Sequence, residues 1–124
     1  MRTSKVKSVF RERDILISNK TCPFLPKIYH TFADEEYLYL VMEYINGGTL
    51  SDKLISIRPG GFAKEVVQFY AAQIVLTLEY LQQQNVAHRD LKPANIMLDS
   101  RSYIKLIDFG EAKIVDNYEE DIKS

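Results

Sequence analysis

The chain has 124 residues, 46% of them hydrophobic and 27% charged, with both signs interspersed and a net charge of −1. That length holds one compact domain or part of a larger one, and the balanced charge argues against a nucleic-acid groove or a polybasic membrane patch. Cys22 is the single cysteine, so no internal disulfide and no cysteine-based metal cluster can form, which fits a reducing, cytoplasmic setting.

In chain order, Met1 to Phe10 is basic but has no apolar core and does not read as a secretory signal. Val6, Val9, Phe10, Ile15, Leu16 and Ile17 recur at mixed three- and four-residue spacing, which predicts an amphipathic helix ending before Asn19 to Pro23. Lys27 to Phe32 and Tyr37 to Tyr44 are β-branched and aromatic runs joined by Asp34-Glu35-Glu36, an antiparallel hairpin. The longest apolar run, Tyr37 to Met42, is too short to span a bilayer. Asn46-Gly47-Gly48 breaks the pattern, a short helix follows from Leu50 to Ile57, and Pro59-Gly60-Gly61 is a second break.

Ala63 to Gln84 carries the clearest helical period, with Val67, Tyr70, Ile74, Leu78 and Leu81 expected on a buried face. Asn85 to Ala94 reads as a mixed loop. Ile96 to Leu98 and Tyr103 to Ile107 flank Asp99-Ser100-Arg101-Ser102 as another hairpin. The tail from Asp116 is polar and acidic and is expected to be mobile. The order, with sheets on either side of a Gly-Gly hinge, predicts an α+β chain of two lobes meeting at a ligand crevice.

The chemistry is concentrated in His88-Arg89-Asp90-Leu91-Lys92-Pro93-Ala94-Asn95 and, one hairpin later, Asp108-Phe109-Gly110. A lone His-Arg-Asp or Asp-Phe-Gly occurs by chance; the full eight-residue segment joined to the second motif resembles the catalytic and magnesium loops of protein kinases. Phosphoryl transfer needs an oriented hydroxyl and neutralised phosphate charge. Asp90 stands where a carboxylate accepts the hydroxyl proton, and Lys92 can bring positive charge to the transferred group. Asn95 and Asp108 supply the hard oxygen ligands that magnesium prefers. Arg89 reads as structural.

The chain as a whole resembles a eukaryotic protein kinase of the Ser/Thr type, Lys92 being the residue usual in that class. Phe10-Arg11-Glu12-Arg13-Asp14-Ile15-Leu16, Pro23-Phe24-Leu25, Tyr39 to Tyr44 and Phe69 to Ile74 look like the AGC group. Arg11-Glu12-Arg13-Asp14 and Asp108 to Lys113 lean towards its phosphoinositide-dependent branch. The resemblance implies a two-lobed kinase fold, incomplete at both ends. Residues 1–45 would be part of the N-lobe (helix C, two strands, start of the hinge), and 46–124 part of the C-lobe. It implies ATP and magnesium as cofactors and a protein Ser/Thr hydroxyl as acceptor.

By position, Glu12 resembles the helix-C glutamate that pairs with the ATP-binding lysine, the alternative being a solvated helix charge. Met42 resembles the gatekeeper, Glu43 and Ile45 the hinge residues whose backbone meets adenine, and Met97 a wall of the adenine pocket. Leu16, Ile28, His88 and Phe109 fall where the family stacks an apolar spine, so His88 is expected to be a packed core histidine. Thr49 and Ala94 stand where AGC kinases that prefer basic substrates often carry acids, which puts an arginine-directed preference in doubt. The Gly-rich phosphate loop, its lysine and the Ala-Pro-Glu signature are not found. The chain by itself is therefore expected to have little or no activity. A non-catalytic interaction module, binding a partner protein or nucleotide, is the alternative reading.

Overall fold

A computed structural model describes residues 2–57 and 59–115, the side chains of residues 2–5 excepted; the acidic tail from Asp116 lies outside the described residues. Helix α1 (Arg2–Ser18) is followed by strands β1 (Ile28–Ala33) and β2 (Leu38–Met42), then helices α2 (Leu50–Ser56) and α3 (Lys64–Gln83). Four short strands follow: β3 (Val86–Ala87), β4 (Ile96–Leu98), β5 (Ile104–Leu106) and β6 (Lys113–Ile114). They form separate two-stranded antiparallel sheets, β1–β2, β3–β6 and β4–β5. No helix among the described residues is long and apolar enough to cross a membrane.

Helix α1 corrects the expectation of an amphipathic helix. Ile15 and Leu16 are buried, but Val6, Val9, Phe10 and Ile17 of the same apolar set are exposed. The inward line is instead Ser8, Glu12, Ile15, Leu16 and Asn19, polar at its beginning because it meets backbone groups rather than a hydrophobic surface. The helix stops where Asn19 turns both its N–H (3.1 Å) and its side-chain Nδ2 (2.7 Å) back on the Ile15 carbonyl.

The hairpin forms as the β-branched and aromatic runs predict. Its turn is organised by Asp34, whose carboxylate accepts from the Tyr37 and Glu36 N–H groups at 2.7 and 2.8 Å and from the Tyr39 hydroxyl at 2.9 Å. These donors, Tyr37 first, hold the Asp34 carboxyl below its usual range, and the same contact lifts the Tyr39 hydroxyl above its own. Strand β2 ends at Met42, short of Tyr44. Beyond the Glu43 N–H, bonded to the Lys27 carbonyl at 2.8 Å, the chain leaves the sheet.

The Gly-Gly segment then docks on β4. Gly47 N–H donates to the Leu98 carbonyl at 2.8 Å, and Leu98 N–H returns to the Gly48 carbonyl at 2.9 Å. A Cβ on Gly47 would overlap the Leu98 carbonyl oxygen and lie 2.9 Å from its carbon, so this close approach requires glycine. Thr49 next caps α2: its hydroxyl accepts from Asp52 N–H (3.0 Å), and the Asp52 carboxylate accepts from Thr49 N–H (3.2 Å).

Helix α3 has the predicted span but not the predicted face. Tyr70 and Leu81 are buried and Ile74 partly so, whereas Val67 and Leu78 are exposed; the remaining buried places go to Gln73 and Thr77. The reason lies in β5, all of whose residues are buried. One edge of β5 pairs with β4. On the other edge, Ile104 N–H donates to Gln73 Oε1 at 2.8 Å, and Leu106 N–H to the Phe24 carbonyl at 2.8 Å. An unpaired buried N–H costs more than burying a glutamine that satisfies it. Thr77 bonds back to the Gln73 carbonyl at 2.7 Å and so loses nothing by burial.

A second difference concerns Asn85 to Ala94, read as a mixed loop. Val86–Ala87 form β3, whose partner β6 lies beyond Asp108-Phe109-Gly110, and Pro93–Asn95 form a single 3₁₀ turn. Finally, Lys105 on β5 reaches Glu43. Its Nζ lies 3.1 Å from Glu43 Oε1, which also accepts from Lys27 N–H at 2.9 Å. This largely buried pair fastens the segment after β2 to the strand that leads to Asp108.

Gly47→Ala should lower unfolding free energy by about 1–3 kcal/mol in a urea titration, since backbone on the far side cannot rotate away. Lys105→Met should cost about 2 kcal/mol in the same titration, by leaving Glu43 without its cation. A fully buried pair would lose roughly 3–5 kcal/mol. Adding Glu43→Gln to Lys105→Met should recover part of the loss, as the orphaned charge is then removed.

Candidate active site

Strand β3 delivers the chain to His88, which is buried and packs edge-on against Phe109, ring centroids 4.8 Å apart. Its Nδ1 accepts from the Asp90 N–H at 3.1 Å, so the ring proton is on Nε2 and is donated to the Ile107 carbonyl at 2.9 Å. Both ring nitrogens are thus committed to backbone groups, and His88 is a core histidine. Arg89 holds a left-handed φ of 69° and donates through Nε to the Glu111 carbonyl at 2.8 Å, fastening this loop to the residues after Gly110.

The Asp90 carboxylate is partly exposed. Lys92 Nζ approaches its Oδ1 at 3.6 Å, and Asn95 Nδ2 donates to its Oδ2 at 3.0 Å. The same amide nitrogen donates to the Asp90 backbone carbonyl at 2.9 Å. With its nitrogen committed in this way, Asn95 has its amide oxygen left to offer a further partner.

The hairpin β4–β5 brings the second loop alongside. Ile96 pairs with Leu106, and one step further the Asn95 carbonyl accepts from Ile107 N–H at 2.9 Å. Asp108 is the next residue and sits at a φ of 62°, in the left-handed region. Such a conformation costs about 1–3 kcal/mol for a residue with a side chain and persists only where neighbours enforce it. Phe109 N–H donates to Glu12 Oε2 at 2.6 Å, and the Gly110 carbonyl accepts from the Ser8 hydroxyl at 2.8 Å. Glu12 therefore takes a partner that neither expectation named, a backbone N–H of the Asp108 loop. Among the described residues it forms no ion pair.

A cavity of about 360 Å³ opens between these parts, within the size range of small-ligand sites. Glu12, Met42, Glu43, Ile45, Met97 and Asp108 all line it, joined by Leu16, Pro26, Tyr44, Ile107 and Phe109. Asp90, Lys92 and Asn95 are not among its lining residues. Leu16, Ile28, His88 and Phe109 are each buried. Thr49 spends its hydroxyl on the helix cap, and Ala94 is exposed in the 3₁₀ turn.

The lining fits a flat heteroaromatic ligand. Leu16, Met42, Met97 and Ile107 offer apolar walls, and among the described residues neither the Glu43 carbonyl nor the Ile45 N–H takes a backbone partner. The donor set near Asp108 fits magnesium, which takes one or two protein oxygens and completes its octahedron with water and phosphate. Among the described residues no trio of His, Cys, Asp or Glu converges as a softer or more demanding metal would require.

Two contributors escaped the sequence reading. Lys105 left a trace, a lone lysine inside the apolar run Tyr103 to Ile107, which signals a buried partner. Ser8 left none, because nothing in its spacing distinguishes it from a solvated helix serine.

The family described as Protein kinase domain matches residues 1–124. The chain is 49% identical over 102 residues to a cGMP-dependent protein kinase of Toxoplasma gondii, covering 82% of this chain and 10% of that one. It is 42% identical over 110 residues to the serine/threonine-protein kinase sgk-1 of Caenorhabditis elegans, covering 89% and 23%. With human 3-phosphoinositide-dependent protein kinase 2 it shares 43% identity over 115 residues, covering 93% and 28%. The chain thus spans between about a tenth and three tenths of the length of these relatives. A family match along the whole chain, with relatives more than 40% identical over most of it, means that the chain belongs to the protein kinase family.

Proposed function

We propose that this chain is the central part of a Ser/Thr protein kinase, which transfers the γ-phosphoryl group of ATP to a Ser or Thr hydroxyl of a protein. One observation carries the reading: the register of β4 and β5 sets Asn95 against Ile107, so that Asp108 stands beside the Asp90–Asn95 pair at the rim of the cavity. Residues 1–45 would serve as part of the smaller lobe and 46–124 as part of the larger. A cytoplasmic setting belongs to this reading, and the single, buried and free Cys22 is compatible with it.

Magnesium and ATP, when bound, supply the bridging cation and the transferable phosphoryl group. Asn95, through its amide oxygen, and Asp108 would hold the metal. Met42, Met97, the Glu43 carbonyl and the Ile45 N–H would hold adenine. Asp90, steadied by Asn95 Nδ2, orients the acceptor hydroxyl and takes its proton at a carboxylate oxygen. Lys92, 3.6 Å from that carboxylate, adds positive charge where negative charge develops. Glu12 holds the Asp108 loop through the Phe109 N–H.

Nucleotide binding by the full chain, titrated with and without magnesium, tests this assignment. Magnesium should strengthen binding, Asp108→Asn should weaken the magnesium-dependent part by about tenfold or more, and Asp90→Asn should leave binding within about twofold. Turnover should be slight, since the Glu12 carboxylate is engaged by the Phe109 N–H and, among the described residues, forms no ion pair. Binding indifferent to magnesium in both the parent chain and Asp108→Asn would overturn the assignment. Ready turnover that disappears in Asp90→Asn would overturn the expected inactivity.

A further inference from the structure

Ser8 has no part in the function proposed above, yet its hydroxyl makes a long-range bond at the site. A serine inside a helix usually turns its hydroxyl to the carbonyl four residues back or to water. Here it donates at 2.8 Å to the carbonyl of Gly110, 102 residues away in sequence. One helical turn later, on the same face, the Glu12 carboxylate accepts from Phe109 N–H at 2.6 Å. The two residues that follow Asp108 are thus gripped at both ends, by an acceptor at the first N–H and a donor at the second carbonyl.

We propose that Ser8 is a positioning residue for Asp108: with Glu12 it clips the Phe109-Gly110 backbone and so holds Asp108 in its left-handed conformation. The inference rests on the reading of Asp108 as a metal ligand. Its support is independent of that reading. Asp108 has a φ of 62°, and the only bond its own carboxylate makes within the loop is a long one, 3.3 Å from Gly110 N–H. Arg89 fastens the Glu111 carbonyl just beyond. The clip and Arg89 thus fix consecutive carbonyls, those of Gly110 and Glu111.

Gly110 shows how closely the hydroxyl approaches. Its φ is not in the positive range, so an alanine could adopt its backbone conformation. A Cβ there would nevertheless stand 2.9 Å from Ser8 Oγ and 3.2 Å from Asp108 Oδ1. A side chain at this place would push the hydroxyl off the carbonyl. The absent Cβ at Gly110 is what lets the clip close.

Amide hydrogen exchange of the full chain, free of metal and nucleotide, tests the clip directly. Ser8→Ala should speed exchange at the Phe109 amide by roughly three- to tenfold, the factor that one neutral hydrogen bond is worth. Ser8→Thr, which keeps a hydroxyl, should restore the parent rate, and the Leu40 amide in the hairpin should not change in either. In nucleotide-binding titrations, Ser8→Ala should raise the magnesium concentration at half-effect by a similar factor. Unchanged exchange at Phe109 in Ser8→Ala, or failure of Ser8→Thr to restore it, would overturn the clip. Faster exchange with an unchanged magnesium requirement, in a chain whose requirement is lost in Asp108→Asn, would overturn the positioning role. If Asp108→Asn itself has no effect on magnesium, the reading of Asp108 fails and the role of Ser8 fails with it, whatever the exchange shows.

Discussion

Strand β5 is the piece on which the site depends, because its backbone is satisfied on both edges although only one edge faces another strand. The ladder to β4 supplies one side. On the other, Gln73 from α3 and the Phe24 carbonyl from the loop after α1 accept the Ile104 and Leu106 N–H groups. A three-residue strand with bare N–H groups in a core would be unstable. With them paired, β5 draws a helix and a loop from distant parts of the sequence onto one short rod. Its next residues are Ile107 and Asp108, so the precision of the cavity rim is inherited from this rod.

The charged groups follow the same logic of fastening by backbone. Asp90 is held through its own N–H, its carbonyl and one carboxylate oxygen, by His88 and Asn95. Only the remaining oxygen faces Lys92. Left-handed conformations at Arg89 and Asp108 stand on either side of this arrangement. Each is tied to other parts of the chain, Arg89 through its own Nε to Glu111 and Asp108 through the bonds made by Phe109 and Gly110. Such strain aims side chains where an ordinary turn would not, Arg89 towards Glu111 and Asp108 towards the cavity. The pair Lys105–Glu43 extends the rigidity to the segment on the opposite wall.

Much of this was legible in the residues. The β-branched and aromatic runs of the hairpin, the two Gly breaks, the span of the long helix and the two signature loops all correspond to observed elements, since each rests on local chemistry. What could not be read depended on long-range needs. Gln73 and Thr77 displace Val67 and Leu78 from the buried face of α3 because β5 requires an acceptor, and no spacing rule on α3 encodes that requirement. Val86–Ala87 form a strand only because Lys113–Ile114 return to them after the second loop. On α1, a count of apolar residues points to Val6, Val9 and Phe10, whereas the helix is oriented by Ser8 and Glu12. A periodicity argument assumes that the inward face is the apolar one, and here half of that face meets main-chain polar groups.

That polar face has a thermodynamic consequence. Over most of its length α1 buries little apolar surface, with Ile15 and Leu16 at its last turns as the buried exceptions among the described side chains. Its forward part is held to the site by the Ser8 and Glu12 bonds to the Asp108 loop. Hydrogen bonds of this kind are worth only about 0.5–3 kcal/mol each, the charged one most, so this part of α1 is held by a few specific contacts rather than by a broad apolar surface. The loop's left-handed conformation draws on the same two bonds. Helix placement and loop geometry are therefore linked: whatever favours the ordered Asp108 loop also favours the docked helix, and to the same extent. A purely apolar contact would have held the helix without regard to the loop's conformation, whereas bonds to Phe109 N–H and Gly110 C=O hold it only when the loop is formed.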